Sequence, residues 1–458
     1  MNKELKLTRE YVFNSLFNSF NYGNLGLFIG AGFSKAVVND DLTSALSWGD
    51  LIRKACDELK IKMPDCEEVK GLSFPQISSL ICDKIADSEQ VSYEDAKRKL
   101  KRKISHLSNW LPNEEKTSLF SDLLRRINPS WIITTNYDLV IEKLLTGKCV
   151  TLGPDNYFTY PKGTIPIYHL HGVRLDPDSI IITQEDYVQL FRPNEYRQIK
   201  LALTIKESTT LILGYGLGDV NVLSAVDWSK NIYKENNGYP HEIIQAIRTD
   251  NPSSEPYRDK NGIIIIEVDE IKNFLQELVE FFRIRKDKYD NKLDELYKLI
   301  GDLTKSDEEL IESFIADQKK RLSLLQLLSE FELHMVSPYI DFISRCIDKT
   351  WKDSADYGAF EAYDQNLRIL LDIIINYDYN RMPPALFEFV AHSLDRVFRF
   401  VSDTRDKLYV GHGWDATRRW HSQKSKIPYK TVEELYYFSK NNYLSELHKK
   451  IEPIFTES

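Results

Sequence analysis

The sequence predicts an α/β protein: a doubly wound, mostly parallel sheet with an inserted helical subdomain, followed by a separate all-helical domain. Three observations lead there. Apolar runs such as Leu211-Ile212-Leu213 and Ile263-Ile264-Ile265-Ile266 are near-continuous rather than alternating, which suits strands buried on both faces. Segments with helical spacing separate these runs. Beyond about residue 285 only helical patterns remain.

Val12, Leu16, Phe17 and Phe20 predict a leading helix over 8–22. Residues 25–29 form the first core strand. From Trp48 to Ile127 the pattern is helical throughout, with one face at Leu51, Ile52, Ala55 and Leu59 and another at Leu119, Leu123, Leu124 and Ile127. This stretch far exceeds an ordinary crossover and reads as an inserted helical subdomain at about 48–127. Strands are then expected at 131–134, 165–169, 179–182, 211–213, 242–247 and 263–266. Helices are expected at 138–145, 184–191, 195–206, 219–228 and 270–284. The alternation is Rossmann-like and closes near residue 285. There the charged run RIRKDKYDNKLDE is either a solvated linker or, more commonly, the exposed face of a helix. The organisation expected is thus 1–285 and 286–458. In the second part Trp414, Trp420 and the histidines at 412 and 421 read as a structured surface loop, with both tryptophans available to a subunit interface.

The bulk numbers narrow the classes. The chain has 458 residues, 42% of them hydrophobic and 28% charged, enough for two or three soluble domains. A net charge of −9 argues against nucleic-acid binding by the whole surface, and no direct nucleic-acid partner is expected. Cys56, Cys66, Cys82, Cys149 and Cys346 contain no Cys-x-x-Cys pair, so no zinc signature and no metal is expected. This odd, sparse set fits a reducing compartment. The N-terminal residues lack a signal-peptide core and no window approaches 18 apolar residues. The expectation is a soluble cytoplasmic protein.

The chemistry-bearing residues close apolar runs. Gly30-Ala31-Gly32-Phe33-Ser34 ends the first strand, and its glycines allow a tight turn and close approach to a ligand. A helix starting there offers free amides to a phosphate. Such a turn also serves as plain packing. Thr135, Asn136, Tyr137 and Asp138 end the strand at 131–134. Asp138 reads first as a helix N-cap, whereas the Asn136 amide, donor and acceptor at once, suits holding a ribose hydroxyl or orienting a water. His169 and His171 share a strand face by period two. His171, followed by Gly172 where the strand should end, is the better general base, and His169 reads as a core residue. Gly214-Tyr215-Gly216-Leu217-Gly218-Asp219 closes a further strand, with Asp219 a second helix cap. In open α/β sheets ligands bind at the carboxyl ends of the strands, so these turns together suggest a nucleotide site.

The ordered set resembles the sirtuin-like superfamily over roughly residues 20–285. Gly30-Ala31-Gly32-Phe33-Ser34 matches its Gly-Ala-Gly-x-Ser turn, and Thr135-Asn136-Tyr137-Asp138 resembles its Gln-Asn-x-Asp motif. His171-Gly172 matches its His-Gly, and the Gly214–Asp219 turn is similar to that of the bacterial branch. By this resemblance Gly30, Ala31, Gly32, Phe33 and Ser34 line the NAD⁺ pyrophosphate and ribose. Asn136 and Asp138 hold the nicotinamide-side ribose and pocket, Thr135 is a further cofactor contact, Asn136 and His171 are catalytic, and Gly214, Tyr215 and Asp219 face the adenosine half. The departures are specific. The four zinc cysteines of the deacylating members are missing, the Pro-Asp-Phe-Arg segment is replaced by Lys35-Ala36-Val37-Val38-Asn39-Asp40, and the motif glutamine is Thr135.

The resemblance therefore implies an NAD⁺ glycohydrolase that consumes NAD⁺ as substrate without a metal, of the zinc-less kind that serves as an NAD-depleting effector of antiphage defence. It implies a homo-oligomer, with a possible partner such as a HerA-like ATPase, a short Argonaute or a phage protein. The alternatives are a protein deacylase or ADP-ribosyltransferase, and a non-catalytic NAD⁺ or ADP-ribose sensor.

Overall fold

The computed structural model describes residues 7–40, 43–65, 68–157, 159–190, 196–216, 241–300, 308–331, 333–354, 360–404 and 413–457. The helix expected at 219–228, and Asp219 and His412, lie outside them. The chain divides into two compact units, Met1–Arg285 and Lys286–Ser458.

In the first unit helix α1 (Arg9–Tyr22) leads into β1 (Leu25–Ile29) and α2 (Ala31–Val38). Helices α3 (Trp48–Leu59), α4 (Phe74–Glu89), α5 (Tyr93–Leu107) and α6 (Glu114–Ile127) follow before β2 (Trp131–Thr134). Then come α7 (Val140–Leu144), β3 (Cys149–Leu152), β4 (Ile165–His169), α8 (Gln184–Leu190), α9 (Tyr196–Lys206) and β5 (Thr209–Leu213). Strands β6 (Ile243–Arg248), β7 (Tyr257–Arg258) and β8 (Ile264–Val268) complete the sheet, and a helix runs from Ile271 to Ile300. The charged run after residue 285 is part of that helix. Side-chain caps set several starts: Thr8, Ser47, Ser92 and Asn113 each accept a backbone N–H of the first turn.

The sheet order is β3-β4-β2-β1-β5-β6-β8-β7. All neighbours are parallel except β7 against β8. The central strands are largely apolar because successive side chains enter two different cores. Leu25, Leu27 and Ile29, with Ile132, Ile167 and Leu211, pack under α1, α2, α6, α7 and the helix from Ile271. Phe28, Ile133, Tyr168 and Ile212 pack on the other face with Leu201 and Ile205 of α9.

The inserted region splits in two. Helices α3, α4 and α5 build their own core from residues such as Ile52, Cys56, Ile81, Cys82, Leu100 and Ile104. Helix α6 places Phe120, Leu123, Leu124 and Ile127 in the sheet core, as an ordinary crossover helix does. One strand expectation is corrected, and one strand was not expected. Residues 180–182 are not a strand: a 3₁₀ turn at Pro177–Ser179 precedes them, and Ile180 and Ile182 fill the insert core instead. An apolar triplet is equally satisfied by either kind of burial, so periodicity could not decide. Strand β3, half-buried at the sheet edge, carried no apolar run to reveal it.

The second unit is helical in all its described elements. Its core gathers Leu324, Ile343, Leu370, Leu394 and Leu435 around a buried ion pair, Arg321 Nε to Asp372 Oδ2 at 2.9 Å. Arg321 also donates to the carbonyl of Phe314, capping the end of the helix before it. Trp420 corrects the surface-loop reading: it sits on the helix Trp414–Gln423 and is only 2% exposed, within this core. Trp414 is 50% exposed.

The turns after β1 and β5 interlock through backbone. Gly32 donates its N–H to the Gly214 carbonyl at 2.8 Å, and Gly30 to that of Leu213 at 3.0 Å. A Cβ on Gly214, whose φ is +61°, would lie 2.1 Å from the Phe33 nitrogen. Left-handed backbone alone costs an alanine about 1–2 kcal/mol, and the overlap adds to it. Gly214→Ala should therefore lower the melting temperature by roughly 4 °C or more. Gly216→Ala, whose Cβ meets nothing within 4 Å, should leave it nearly unchanged. Equal melting of both variants and wild type would remove this contact from the account.

Candidate active site at the strand ends

The last residues of four adjacent strands are register partners. Ile29 pairs with Leu213 on one side and Thr134 on the other, and Thr134 pairs with His169. The glycine turn, the Asn/Asp segment, the histidine segment and the second glycine turn thus leave the sheet along one line. A cavity of about 1000 Å³ opens above it. Its floor includes Ala31, Gly32, Ser34, Thr135, Asn136, Asp138, His171, Gly214 and Tyr215. Two predicted site residues are placed elsewhere. Phe33 turns into the sheet core, edge-on to Phe120, and Gly30 lies beneath the lining, packed on the Gly214 turn. The close approach that Gly30 and Gly32 permit is therefore to the β5 turn.

The polar floor is a linked set. Asn136 donates its amide Nδ2–H to Ser34 Oγ at 2.9 Å, and Ser34 donates to Asp138 Oδ2 at 3.0 Å. Asp138 Oδ1 accepts the Val140 N–H at the start of α7, the expected capping role. All three side chains are buried. Tyr137 packs with the insert core at the edge of the same cavity and donates its hydroxyl to the Ile181 carbonyl. Burial pushes the Asp138 carboxyl up to about 6, against the Val140 amide, the Ser34 hydroxyl and the His169 charge, with Glu142 adding to the rise.

The two histidines do not share a strand face. Strand β4 ends at His169, and the chain turns through Gly172 at φ +90° with the Gly172 N–H on the His169 carbonyl. His169 is fully buried below the floor. His171 borders the cavity, its Nδ1 3.4 Å from the hydroxyl of Tyr187 on α8. An ion pair between Lys101 of α5 and Asp186 fixes α8 to the insert. The opposite wall is apolar and comes from the insert region: Leu46, Trp48, Leu51, Leu72, Phe74 and Trp110.

Sequence reasoning passed over Glu142, Tyr187 and this wall. Glu142 had a signal, since it follows Asp138 by one helical turn. The others reach the cavity only through tertiary packing. Among the described residues no group of three His, Cys, Asp or Glu side chains is arranged to hold a metal ion, and no helix is long and apolar enough to cross a membrane.

Residues 130–266 match the family described as SIR2-like domain. The matched stretch contains the Asn136, His171 and Gly214 segments. The chain is also similar to Defense-associated sirtuin 2 of Bacillus subtilis, 23% identical over 257 residues, which is 54% of this chain. That stretch covers 23% of the relative, so the chain spans well under half of that protein's length. Over residues 130–266 the chain is thus similar to SIR2-like domains, and a bacterial defence-associated sirtuin is among the proteins it resembles.

The buried acid gives a stability test. With its pKa raised from 3.8 to about 6, native Asp138 keeps a proton between those values that the unfolded chain has lost. Its contribution to stability therefore falls as pH rises through that window. Asp138→Asn, which keeps the acceptor for Val140, should gain melting temperature relative to wild type as pH rises from about 4 to about 7. A difference independent of pH would show that Asp138 ionises normally.

Proposed function

We propose that the strand-end cavity binds NAD⁺ and hydrolyses its nicotinamide–ribose bond, giving nicotinamide and ADP-ribose, and that the protein is an NAD-depleting effector of bacterial antiphage defence. The observation that carries the reading is the convergence of the Gly32, Asn136, His171 and Gly214 segments on one cavity, the last three of them within the stretch that matches a SIR2-like domain. The name of the Bacillus subtilis relative supports the biological setting.

The chemistry asks little of the protein beyond placement. Nicotinamide leaves as a neutral base, so the site must support positive charge developing on the ribose and admit one water. The N-terminal end of α2, at Ala31, favours the pyrophosphate through the helix dipole. Asn136, held by Ser34, orients the ribose hydroxyls or the attacking water. Water bonds to the anomeric carbon as the glycosidic bond breaks, and His171 takes the proton. The Tyr187 hydroxyl orients the His171 ring. The apolar insert wall excludes bulk water. Thr135 and Asp138 complete the nicotinamide side, and Tyr215 the adenosine side.

We assign assembly to the helical unit 286–458, as a homo-oligomer that gates the reaction with or without a protein partner. Trp414, Tyr429, Tyr437 and Tyr443 are half or more exposed there, side chains favoured in interfaces.

Purified protein incubated with NAD⁺ should release free nicotinamide. His171→Ala and Asn136→Ala should remain folded and lose about 10²–10⁴-fold in rate. Native-rate cleavage by His171→Ala would overturn its role, and no cleavage by wild type with any trigger would overturn the reaction. Light scattering should find the full chain oligomeric at micromolar concentration and 1–285 altered in assembly; a full-length monomer would overturn the assembly role.

A further inference from the structure

His169 was the core residue of the sequence reading, yet its two ring nitrogens are both engaged with acceptors. Nδ1 lies 2.8 Å from the Asn136 carbonyl oxygen and Nε2 2.7 Å from Glu142 Oε1. A peptide carbonyl only accepts, and an ionised carboxylate only accepts. Both ring nitrogens must then donate, which requires the imidazolium. The ring is fully buried, and the Glu142 side chain is 14% exposed. Glu142 Oε1 also accepts from the Thr151 hydroxyl of β3 at 3.0 Å, while Oε2 is buried with no hydrogen-bond partner.

What the ring holds is the main chain of Asn136. The Asn136 N–H donates to Thr134 Oγ1 at 3.0 Å, and Thr134 Oγ1 donates to the Ile29 carbonyl at 2.8 Å. The Asn136 C=O rests on His169, and its side chain on Ser34. We propose that Glu142 and His169 form a buried charged pair that fixes the Asn136 peptide and so presents its amide to the cavity, both acting as positioning residues for the reaction. This rests on the proposed NAD⁺ hydrolysis for its kinetic consequence but not for its chemistry.

The pair also sets a tautomer. If His169 loses one proton, the carboxylate of Glu142 keeps the stronger, charge-assisted bond to Nε2–H. Nδ1 then turns a lone pair on the Asn136 carbonyl, and the peptide loses its support. The ionisable groups around the ring are Glu142 on α7 and Asp138 in the turn before it; Cys149 on β3 interacts with Glu142, and burial keeps it neutral, its thiol pushed up to about 11. Burial draws His169 down, but the charge and hydrogen bond of Glu142, the Asn136 carbonyl and Asp138 together leave it raised. The sign follows: the support is complete below the ordinary histidine value of 6.5 and is lost as pH rises through the raised native value.

The test uses the full-length chain, with ¹⁵N-histidine NMR beside steady-state kinetics. In wild type at pH 7 both His169 ring nitrogens should carry protons. Glu142→Ala should lower kcat by about a hundredfold with little change in KM, since misplacement rather than binding is at fault. Glu142→Gln should rescue: its amide donates to Nε2, forces the Nδ1–H tautomer and keeps the Asn136 bond. That variant should therefore have a neutral ring, a kcat within severalfold of wild type, and an alkaline limb shifted upward or absent. An unprotonated Nδ1 in wild type at pH 7, native kcat in Glu142→Ala, or an alkaline limb in Glu142→Gln coincident with wild type would each overturn the proposal. Should wild type fail to cleave NAD⁺, the reaction falls while the ring-nitrogen protonation still decides the pair.

Discussion

The site depends on one constraint: four parallel strands end on the same register line. Leu213, Ile29, Thr134 and His169 are consecutive partners across β5, β1, β2 and β4. Each strand has a different turn to follow, and the line converts four separate stretches of sequence into one floor. β1 is the point where the chain, having built outward through β2 and β4, returns to its other side with β5. The crevice of a doubly wound sheet lies at such a reversal. The Gly32–Gly214 contact locks it at backbone level, because no side chain stands between the two turns.

Thr134, Ser34, Asn136 and Asp138 are tolerated in this floor because each is partnered locally. Thr134 is buried and bonded to both the Ile29 carbonyl and the Asn136 N–H. Ser34 passes a hydrogen bond from Asn136 to Asp138. An unpaired buried polar group would cost about 1–3 kcal/mol, so such a network is stable only when it is nearly complete. Completeness also removes freedom. Asn136 is held at its N–H, its C=O and its side chain at once, which is how an amide is fixed before a ligand arrives rather than after.

Much of this was legible in the sequence. Near-continuous apolar runs announced the central strands, since burial on both faces leaves no polar alternation to confuse them. The turns were legible for the same reason, because polar and glycine residues directly after such runs stand out. The failures are physical too. Ile180-Ile181-Ile182 looked like a strand because apolar composition reports burial and not hydrogen-bond geometry. His169 looked like packing because an apolar strand hides which acceptors meet a buried ring. Glu142 sits one turn after Asp138 and was readable only by asking what that turn faces. Trp420 was misread as surface, since a lone aromatic in a polar segment carries no period. Tyr187 and the Trp48, Phe74 and Trp110 wall come from segments far apart in sequence, and no local pattern could have gathered them.

The cavity therefore has two origins. Its floor follows from the sheet and changes only with the fold. Its apolar wall comes from the insert region, whose core of α3, α4 and α5 closes on Tyr137, the residue between Asn136 and Asp138. That side chain is the joint between the two. It is part of the cavity lining, and its hydroxyl donates to the Ile181 carbonyl and accepts from Trp48 Nε1 at 3.3 Å. Any shift of the insert against the sheet must move Tyr137, and Tyr137 cannot move without its two neighbours. A displacement of α3 would thus reach Asn136 and Asp138 through one covalent step, without passing through the ligand. In the proposed reaction the insert has two effects on chemistry, by excluding water from above and by holding the Asn/Asp segment from the side.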